Sequence, residues 1–128
     1  MAAPRKFLLI DDDEAFNFLN RIILDTKVAG CKVEAALNGE AALDLLAKRG
    51  DCPDVILLDL NMPGMDGFEF LEEFEKRNMC NGNSKVFILT SSAREEDRIN
   101  GFAHKSVVGY LGKPLSEEHV DEILAKAG

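Results

Sequence analysis

Apolar residues in this chain fall into two kinds of run, and the two kinds alternate along its length. Five short runs predict β-strands, and three of them are almost continuously apolar, as strands covered on both faces of a parallel sheet are. The runs are KFLLI (Lys6–Ile10), CKVEAAL (Cys31–Leu37), DVILLD (Asp54–Asp59), KVFILT (Lys85–Thr90) and VVGYLGK (Val107–Lys113).

The segments between these runs repeat apolar residues at the spacing of one helical face. Only the fourth segment, AREEDRINGFAH, has a weak pattern. Two helix starts also have the spacing of a capping box, Asp66 with Glu69 and Ser92 with Glu95. The residues predicted to face the core are Phe16, Leu19, Ile22 and Ile23 in the first helix, Ala42, Leu45 and Leu46 in the second, Phe70, Leu71 and Phe74 in the third, and Val120, Ile123 and Leu124 in the fifth.

The alternation of five strands with five helices predicts the fold class. It favours a right-handed, doubly wound α/β fold, in which a five-stranded parallel sheet lies between two layers of helices. At 128 residues, the chain is expected to form one domain over residues 1–128. Ligands of such sheets bind at the carboxyl ends of the strands.

Polar residues stand where four of the predicted strands end. The first strand runs into Asp11, Asp12 and Asp13, and the third ends in Asp59. Two carboxylates about 5 Å apart repel by roughly 3 kcal/mol at an effective dielectric near 20, and a divalent cation removes that cost. Because all these ligands are oxygens, they favour a hard ion such as Mg²⁺, with Mn²⁺ as a substitute.

The two remaining strand ends suit phosphoryl transfer. An ionised Asp59 can attack an activated phosphorus and form an acyl phosphate. Lys113, after the fifth strand, would neutralise charge on the transferring oxygens, and Thr90, after the fourth, would donate a hydrogen bond to one of them. We therefore expect a phosphoryl-accepting site.

Four motifs, in order, resemble the receiver (CheY-like) domain of bacterial two-component response regulators: LLIDDDE, VILLDLNMPGMDG, VFILTSS and GYLGKPLS. The resemblance covers essentially the whole chain and implies a flavodoxin-like, CheY-like three-layer sandwich. It implies the following roles: phosphoacceptor, Asp59; Mg²⁺ ligands, Asp11, Asp12, Asp59 and the backbone carbonyl of Asn61; phosphoryl-binding and switch residues, Thr90, Lys113 and Tyr110; and a cis-linked proline, Pro114. Asp13 is then expected to cap a helix or to be solvated.

The resemblance also implies partners. A sensor histidine kinase or a histidine phosphotransfer protein would supply the phosphoryl group, and a downstream protein would bind the surface of the fourth helix, fifth strand and fifth helix. Because the chain stops about one helix after Lys113, a stand-alone regulator without an output domain is expected. It would act either as a diffusible output protein or as an intermediate of a phosphorelay, promoting transfer to and hydrolysis from its own aspartate only.

Charge and composition exclude some functions and indicate a cell compartment. A net charge of -8 argues against nucleic-acid binding, which depends on neutralising phosphates with Lys and Arg. The three cysteines, Cys31, Cys52 and Cys80, form no C-x-x-C pair and are odd in number, so we expect reduced thiols. The apolar run at the start is too short for a secretory leader or a membrane span. A cytoplasmic protein without membrane contact is expected.

Other interpretations of the same residues stay open. A phosphatase of the haloacid dehalogenase type uses similar groups, but its nucleophile ends the first strand and its acidic pair comes late, whereas here the pair comes first. A receiver-like module that is never phosphorylated would have no reason to keep mutually repelling carboxylates. Taken alone, each strand-end residue is ordinary, and their joint occurrence favours a site. His104 and His119 are expected to be surface or packing residues.

Overall fold

The computed structural model describes residues 6–49 and 52–127. The expectation about the start of the chain therefore lies partly outside the described residues. The strands are β1 (Lys6–Ile10), β2 (Lys32–Ala36), β3 (Val55–Leu58), β4 (Lys85–Thr90) and β5 (Val107–Gly112). The helices are α1 (Glu14–Lys27), α2 (Gly39–Arg49), α3 (Gly67–Lys76), α4 (Glu95–Phe102) and α5 (Glu117–Ala127), and a short 3₁₀ turn spans Met79–Gly82.

All five strands are parallel, in the order β2-β1-β3-β4-β5, which confirms the predicted doubly wound, flavodoxin-like arrangement. The register between β1 and β3 pairs Ile10 with Leu58. Asp11 follows Ile10 at the end of β1, and Asp59 follows Leu58 at the end of β3. Asp59 N donates a hydrogen bond to the Ile10 carbonyl at 2.9 Å. The sheet itself thus brings the two aspartates together.

The side chains of the strands alternate between two cores, one on each face of the sheet. Leu8, Ile10, Ile56 and Leu58 face a core that α2 and α3 cover. Phe7, Leu9, Val55 and Leu57 face the other core, to which α1 and α5 contribute. This is the predicted three-layer sandwich, and burial on both faces explains why β1, β3 and β4 are nearly uninterrupted in apolar residues.

The inward face of α1 differs from the predicted one. Leu19 and Ile22 are 57% and 46% exposed, whereas Asn17, Asn20 and Leu24 are buried. The helix begins directly after Asp11–Asp13, and the Asn17 amide donates to the Asp11 carbonyl at 2.9 Å. This polar contact sets the rotation of the helix, so the prediction from apolar spacing alone was wrong for Leu19 and Ile22.

Helix starts follow the sequence with one exception. Asp13 caps α1, as expected, by accepting a hydrogen bond from Phe16 N at 3.1 Å. Asp66 and Glu69 form the predicted reciprocal capping box of α3. Ser92 does not cap α4, because that helix begins at Glu95 with Arg94 at its N-cap, and the Ser92 hydroxyl donates to Asp97 instead.

The expectation of three free thiols was wrong. Cys52 and Cys80 form a disulfide across a sequence separation of 28, and Cys31 is the free cysteine. Cys52 precedes β3 and Cys80 precedes β4, so both lie near the amino ends of strands that are neighbours in the sheet. Among the described residues, no helix is both long and apolar enough to cross a bilayer.

Candidate functional site

Three carboxylates converge at the carboxyl ends of β1 and β3. Asp11, Asp12 and Asp59 each offer one oxygen, and these oxygens lie within 4.8 Å of one another. Asp11 and Asp59 are buried, and Asp12 is exposed. The structure thereby brings together the three predicted carboxylate ligands.

Lys113 reaches this cluster from the end of β5. Its Nζ lies 2.8 Å from Asp11 Oδ2 and 3.5 Å from Asp59 Oδ2. The Lys113–Pro114 peptide bond is cis, as expected. The ammonium group also lies 4.4 Å from the centre of the Phe16 ring, a cation–π contact that helps to hold the side chain over the site.

The surroundings of Asp59 act on its pKa in both directions. Removal from water and the neighbouring Asp11 charge raise the pKa of Asp59, although Lys113 and the Asn61 N–H act to lower it. Burial alone would lower the pKa of Lys113, but its hydrogen bond to Asp11 and the charges of both buried aspartates outweigh that effect and raise it. For Asp59, burial and the Asp11 charge thus outweigh the effect of the Lys113 ammonium group.

The loop after Asp59 folds back tightly on the strand end. Asn61 N approaches Asp59 Oδ1 at 3.4 Å, and Gly67 N donates to the Leu60 carbonyl at 3.1 Å. A Cβ on Gly67 would lie 2.6 Å from the Asp59 carbonyl oxygen, so only glycine lets α3 begin so close to this strand end. The role of the Asn61 carbonyl stays a prediction.

Thr90 and Tyr110 are joined through one residue. Thr90 is fully buried at the end of β4, and its Oγ1 accepts a hydrogen bond from Ser92 N at 3.2 Å. The Tyr110 hydroxyl approaches the carbonyl of the same Ser92 at 3.4 Å. Tyr110 is half-buried, and burial raises the pKa of its hydroxyl. Both predicted switch residues thus contact the main chain of Ser92.

The residues present fit a hard divalent cation. Three carboxylates offer only oxygen donors, the set that Mg²⁺ prefers. The cluster brings three carboxylates together, and within the described residues Lys113 is the cation that contacts two of them. The Asp11 carboxylate is already oriented, because its Oδ1 accepts from Asp13 N at 2.9 Å.

Two residues of the site were missed by the sequence interpretation. Phe16 packs against the core, as predicted, but its ring also lies under the Lys113 ammonium group. Asn17 was not assigned at all, yet it binds the Asp11 carbonyl from α1. The sequence carries no distinct signal for Asn17, because α1 holds several other polar residues, among them Asn20, Arg21 and Asp25.

Comparison with known proteins agrees with this geometry. The family model described as the response regulator receiver domain matches residues 7–125. A two-component response regulator of Cytophaga hutchinsonii superimposes with a TM-score of 0.90 at 31% identity, covering 98% of each chain. The chemotaxis protein CheY4 of Vibrio cholerae does so with a TM-score of 0.82 at 30% identity, covering 98% of this chain and 100% of that one.

Among curated relatives, the share of the relative's length that this chain covers differs widely. The chain is 29% identical over 121 residues to sporulation initiation phosphotransferase F of Bacillus subtilis, covering 94% of this chain and 91% of the relative. It spans from 7% to 55% of the length of several other curated relatives. The fold, the site and the match over residues 7–125 together show that this chain belongs to the response regulator receiver domain family.

Proposed function

We propose that Asp59 accepts a phosphoryl group from a phosphohistidine and that the chain signals through phosphorylation-dependent protein binding. The observation that carries this proposal is the buried carboxylate of Asp59 lying within 4.8 Å of two other carboxylate ligands and 3.5 Å from Lys113. This placement suits a nucleophile whose product is an anion that needs positive charge beside it.

The transfer step uses few protein groups. An Asp59 carboxylate oxygen attacks the phosphorus, the phosphorus–nitrogen bond of the donor breaks, and its electron pair returns to the donor imidazole. Asp59 needs no general base where its carboxyl group is ionised. When bound by Asp11, Asp12, Asp59 and the Asn61 carbonyl, Mg²⁺ supplies positive charge for the phosphoryl oxygens.

Lys113 and Thr90 would hold the product. The Lys113 ammonium group, which contacts both buried aspartates, would follow the negative charge onto the phosphoryl oxygens. The Thr90 hydroxyl would donate a hydrogen bond to one of those oxygens. Because Thr90 Oγ1 accepts from Ser92 N, and the Tyr110 hydroxyl contacts the Ser92 carbonyl, a movement of Thr90 would displace the segment around Ser92. Movement of that segment would change the surface around α4 and β5.

That surface is suited to protein binding. Ile99 and Phe102 of α4 are 60% and 41% exposed, and the Phe102 ring packs 6.5 Å from that of Tyr110, so this face offers apolar surface beside a predicted switch residue. We therefore propose that a downstream protein binds the α4–β5–α5 face. A shift of a two-state equilibrium from 1:99 to 99:1 needs about 5.5 kcal/mol, within the range of several charge-assisted contacts.

The proposed donor is a sensor histidine kinase or a histidine phosphotransfer protein. The similarity to sporulation initiation phosphotransferase F supports a relay partner, and that to CheY4 supports an output protein. The net charge of -8 supports a protein target rather than a nucleic acid or a membrane. Apart from transfer to Asp59 and hydrolysis from it, we propose no enzymatic activity.

A cytoplasmic location is part of the proposal. Disulfides are uncommon in that compartment, because cellular thiols keep them reduced. Alkylation of thiols at the moment of cell lysis measures whether Cys52 and Cys80 are paired there.

The test is phosphorylation by acetyl phosphate in the presence of Mg²⁺. We expect a mass gain of one phosphoryl group that is stable in acid and labile in base, and no gain in Asp59→Asn. The matched control is Asp54→Asn, at the other end of β3, which should be phosphorylated like the original chain. A mass gain that persists in Asp59→Asn, or its absence from the original chain, would contradict the proposal.

A further inference from the structure

The inward face of α1 carries two buried amides. Asn17 and Asn20 are 5% and 3% exposed, on a helix whose Leu19 and Ile22 face solvent. Burying an amide costs free energy unless hydrogen bonds replace those it made with water. A helix that buries two amides while exposing two aliphatic side chains therefore needs a polar reason for its rotation.

The amino group of the Asn17 amide has a hydrogen-bond partner that explains its burial. Its Nδ2 donates to the Asp11 main-chain carbonyl at 2.9 Å. Since only the amino group can donate to a carbonyl, this contact fixes which way the amide points. Asn17 Oδ1 then points elsewhere, is fully buried, and has no hydrogen-bond partner within residues 6–49 and 52–127.

Asn17 also lines a small cavity. Its walls include four polar residues, Asn17, Asn20, Asp11 and Asp59, together with aliphatic residues of β1, β3 and β4. The space open to a water molecule is about 10 Å³, close to what a single buried water needs. Buried waters occupy cavities that offer them two to four polar partners, and four polar residues line this one.

We propose that this cavity is a binding site for one water molecule, which donates a hydrogen bond to Asn17 Oδ1. The other hydrogen bonds of this water would be to polar groups of Asn20, Asp11 and Asp59, which also line the cavity. Asn17 is then a positioning residue: it holds Asp11 through the main-chain carbonyl on one side and through the water on the other.

The consequence for the cation rests on the proposed function. Groups behind a metal ligand orient it, and losing them typically weakens metal binding about 10- to 100-fold. Asn17 is not one of the three clustered carboxylates, and its hydrogen bond is to the Asp11 main chain, so its effect should pass through Asp11. It should therefore alter Mg²⁺ affinity more than the identity of the phosphorylated residue.

The first test is a crystal structure of the full chain at a resolution that shows ordered water. We expect density for one water within hydrogen-bonding distance of Asn17 Oδ1, and none at that place in Asn17→Leu, whose side chain has a similar shape without polar atoms. A dry cavity in the original chain would overturn the proposal.

The second test is Mg²⁺ binding measured by calorimetry without a phosphodonor. Asn17→Leu should weaken the affinity about tenfold, whereas Asn100→Leu, an exposed site on α4, should leave it unchanged. Equal affinities in a folded Asn17→Leu would overturn the positioning role. Absence of Mg²⁺ binding in the original chain would instead defeat the proposed function, and the water density would still decide the cavity site.

Discussion

A carboxylate shielded from solvent lies at each end of the parallel strands, which we call the carboxyl edge and the amino edge of the sheet. The two carboxylates differ in how neighbouring groups stabilise their charge. At the carboxyl edge, Asp59 shares one Lys113 ammonium group with Asp11 and Asp12. At the amino edge, Glu75 at the end of α3 accepts hydrogen bonds from the main-chain N–H and the hydroxyl of Ser106. Glu75 also lies 3.0 Å from His104 Nδ1.

The pKa values follow this difference. Burial would raise the pKa of Glu75, but the hydrogen bonds from Ser106 and the contact with His104 outweigh it and lower the pKa. Burial and the Asp11 charge raise the pKa of Asp59. A shielded carboxylate whose oxygens are satisfied joins elements of the fold, whereas one left short of positive charge is suited to chemistry.

The largest expected effect concerns the amino edge. Replacing both Cys52 and Cys80 by serine should lower the free energy of unfolding by about 3 kcal/mol, because the disulfide restricts the unfolded chain. Urea unfolding followed by circular dichroism measures this, with Cys31→Ser as the control that keeps the disulfide. The folded double variant should still be phosphorylated on Asp59, and loss of phosphorylation would break the separation of the two edges.

At the carboxyl edge, Lys113→Met should slow phosphorylation by acetyl phosphate about 100-fold, because it removes the charge that stabilises the transferring oxygens. Mass spectrometry over a time course gives the rate. Lys105→Met makes the same change at an exposed position near the amino edge and should have no effect. A near-normal rate in Lys113→Met would show that Lys113 serves only to pair Asp11.

Glu75→Gln should lower the free energy of unfolding by roughly 2 kcal/mol at neutral pH, the value of hydrogen bonds to a charged group. Because the pKa of Glu75 is lowered on folding, this stability is present above its ordinary value of 4.5 and is lost as the pH falls through the folded pKa. Unfolding of both proteins between pH 7 and pH 3 should show the gap closing.

The control for that comparison is Glu72→Gln, an exposed position on the same helix. It should shift stability by less than about 0.5 kcal/mol at every pH. A gap between Glu75→Gln and the original chain that does not change with pH would mean that Glu75 acts through packing rather than charge.

The sequence predicted the strands and their polar ends well, because both signals are local. Long apolar runs mark strands buried on both faces. Asp59 follows such a run, Thr90 ends another, and Lys113 follows the more mixed run of β5. All three lie at the carboxyl edge of the sheet, as the parallel arrangement requires.

What the sequence did not predict depends on contacts between distant parts of the chain. The rotation of α1 follows from the Asn17–Asp11 hydrogen bond, which apolar spacing cannot register. The Cys52–Cys80 disulfide depends on β3 and β4 being neighbours. The Glu75–Ser106 contact joins residues 31 positions apart. His104, expected to be a surface or packing residue, also contacts Glu75.

The most direct test of the contrast is a carbon-13 NMR titration of the carboxyl groups of Asp59 and Glu75, with and without Mg²⁺. Without Mg²⁺, Asp59 should titrate above its ordinary value of 3.8 and Glu75 below 4.5. Added Mg²⁺ should lower the pKa of Asp59 and leave that of Glu75 unchanged. An Asp59 carboxyl that titrates at or below its ordinary value and does not respond to Mg²⁺ would contradict the account.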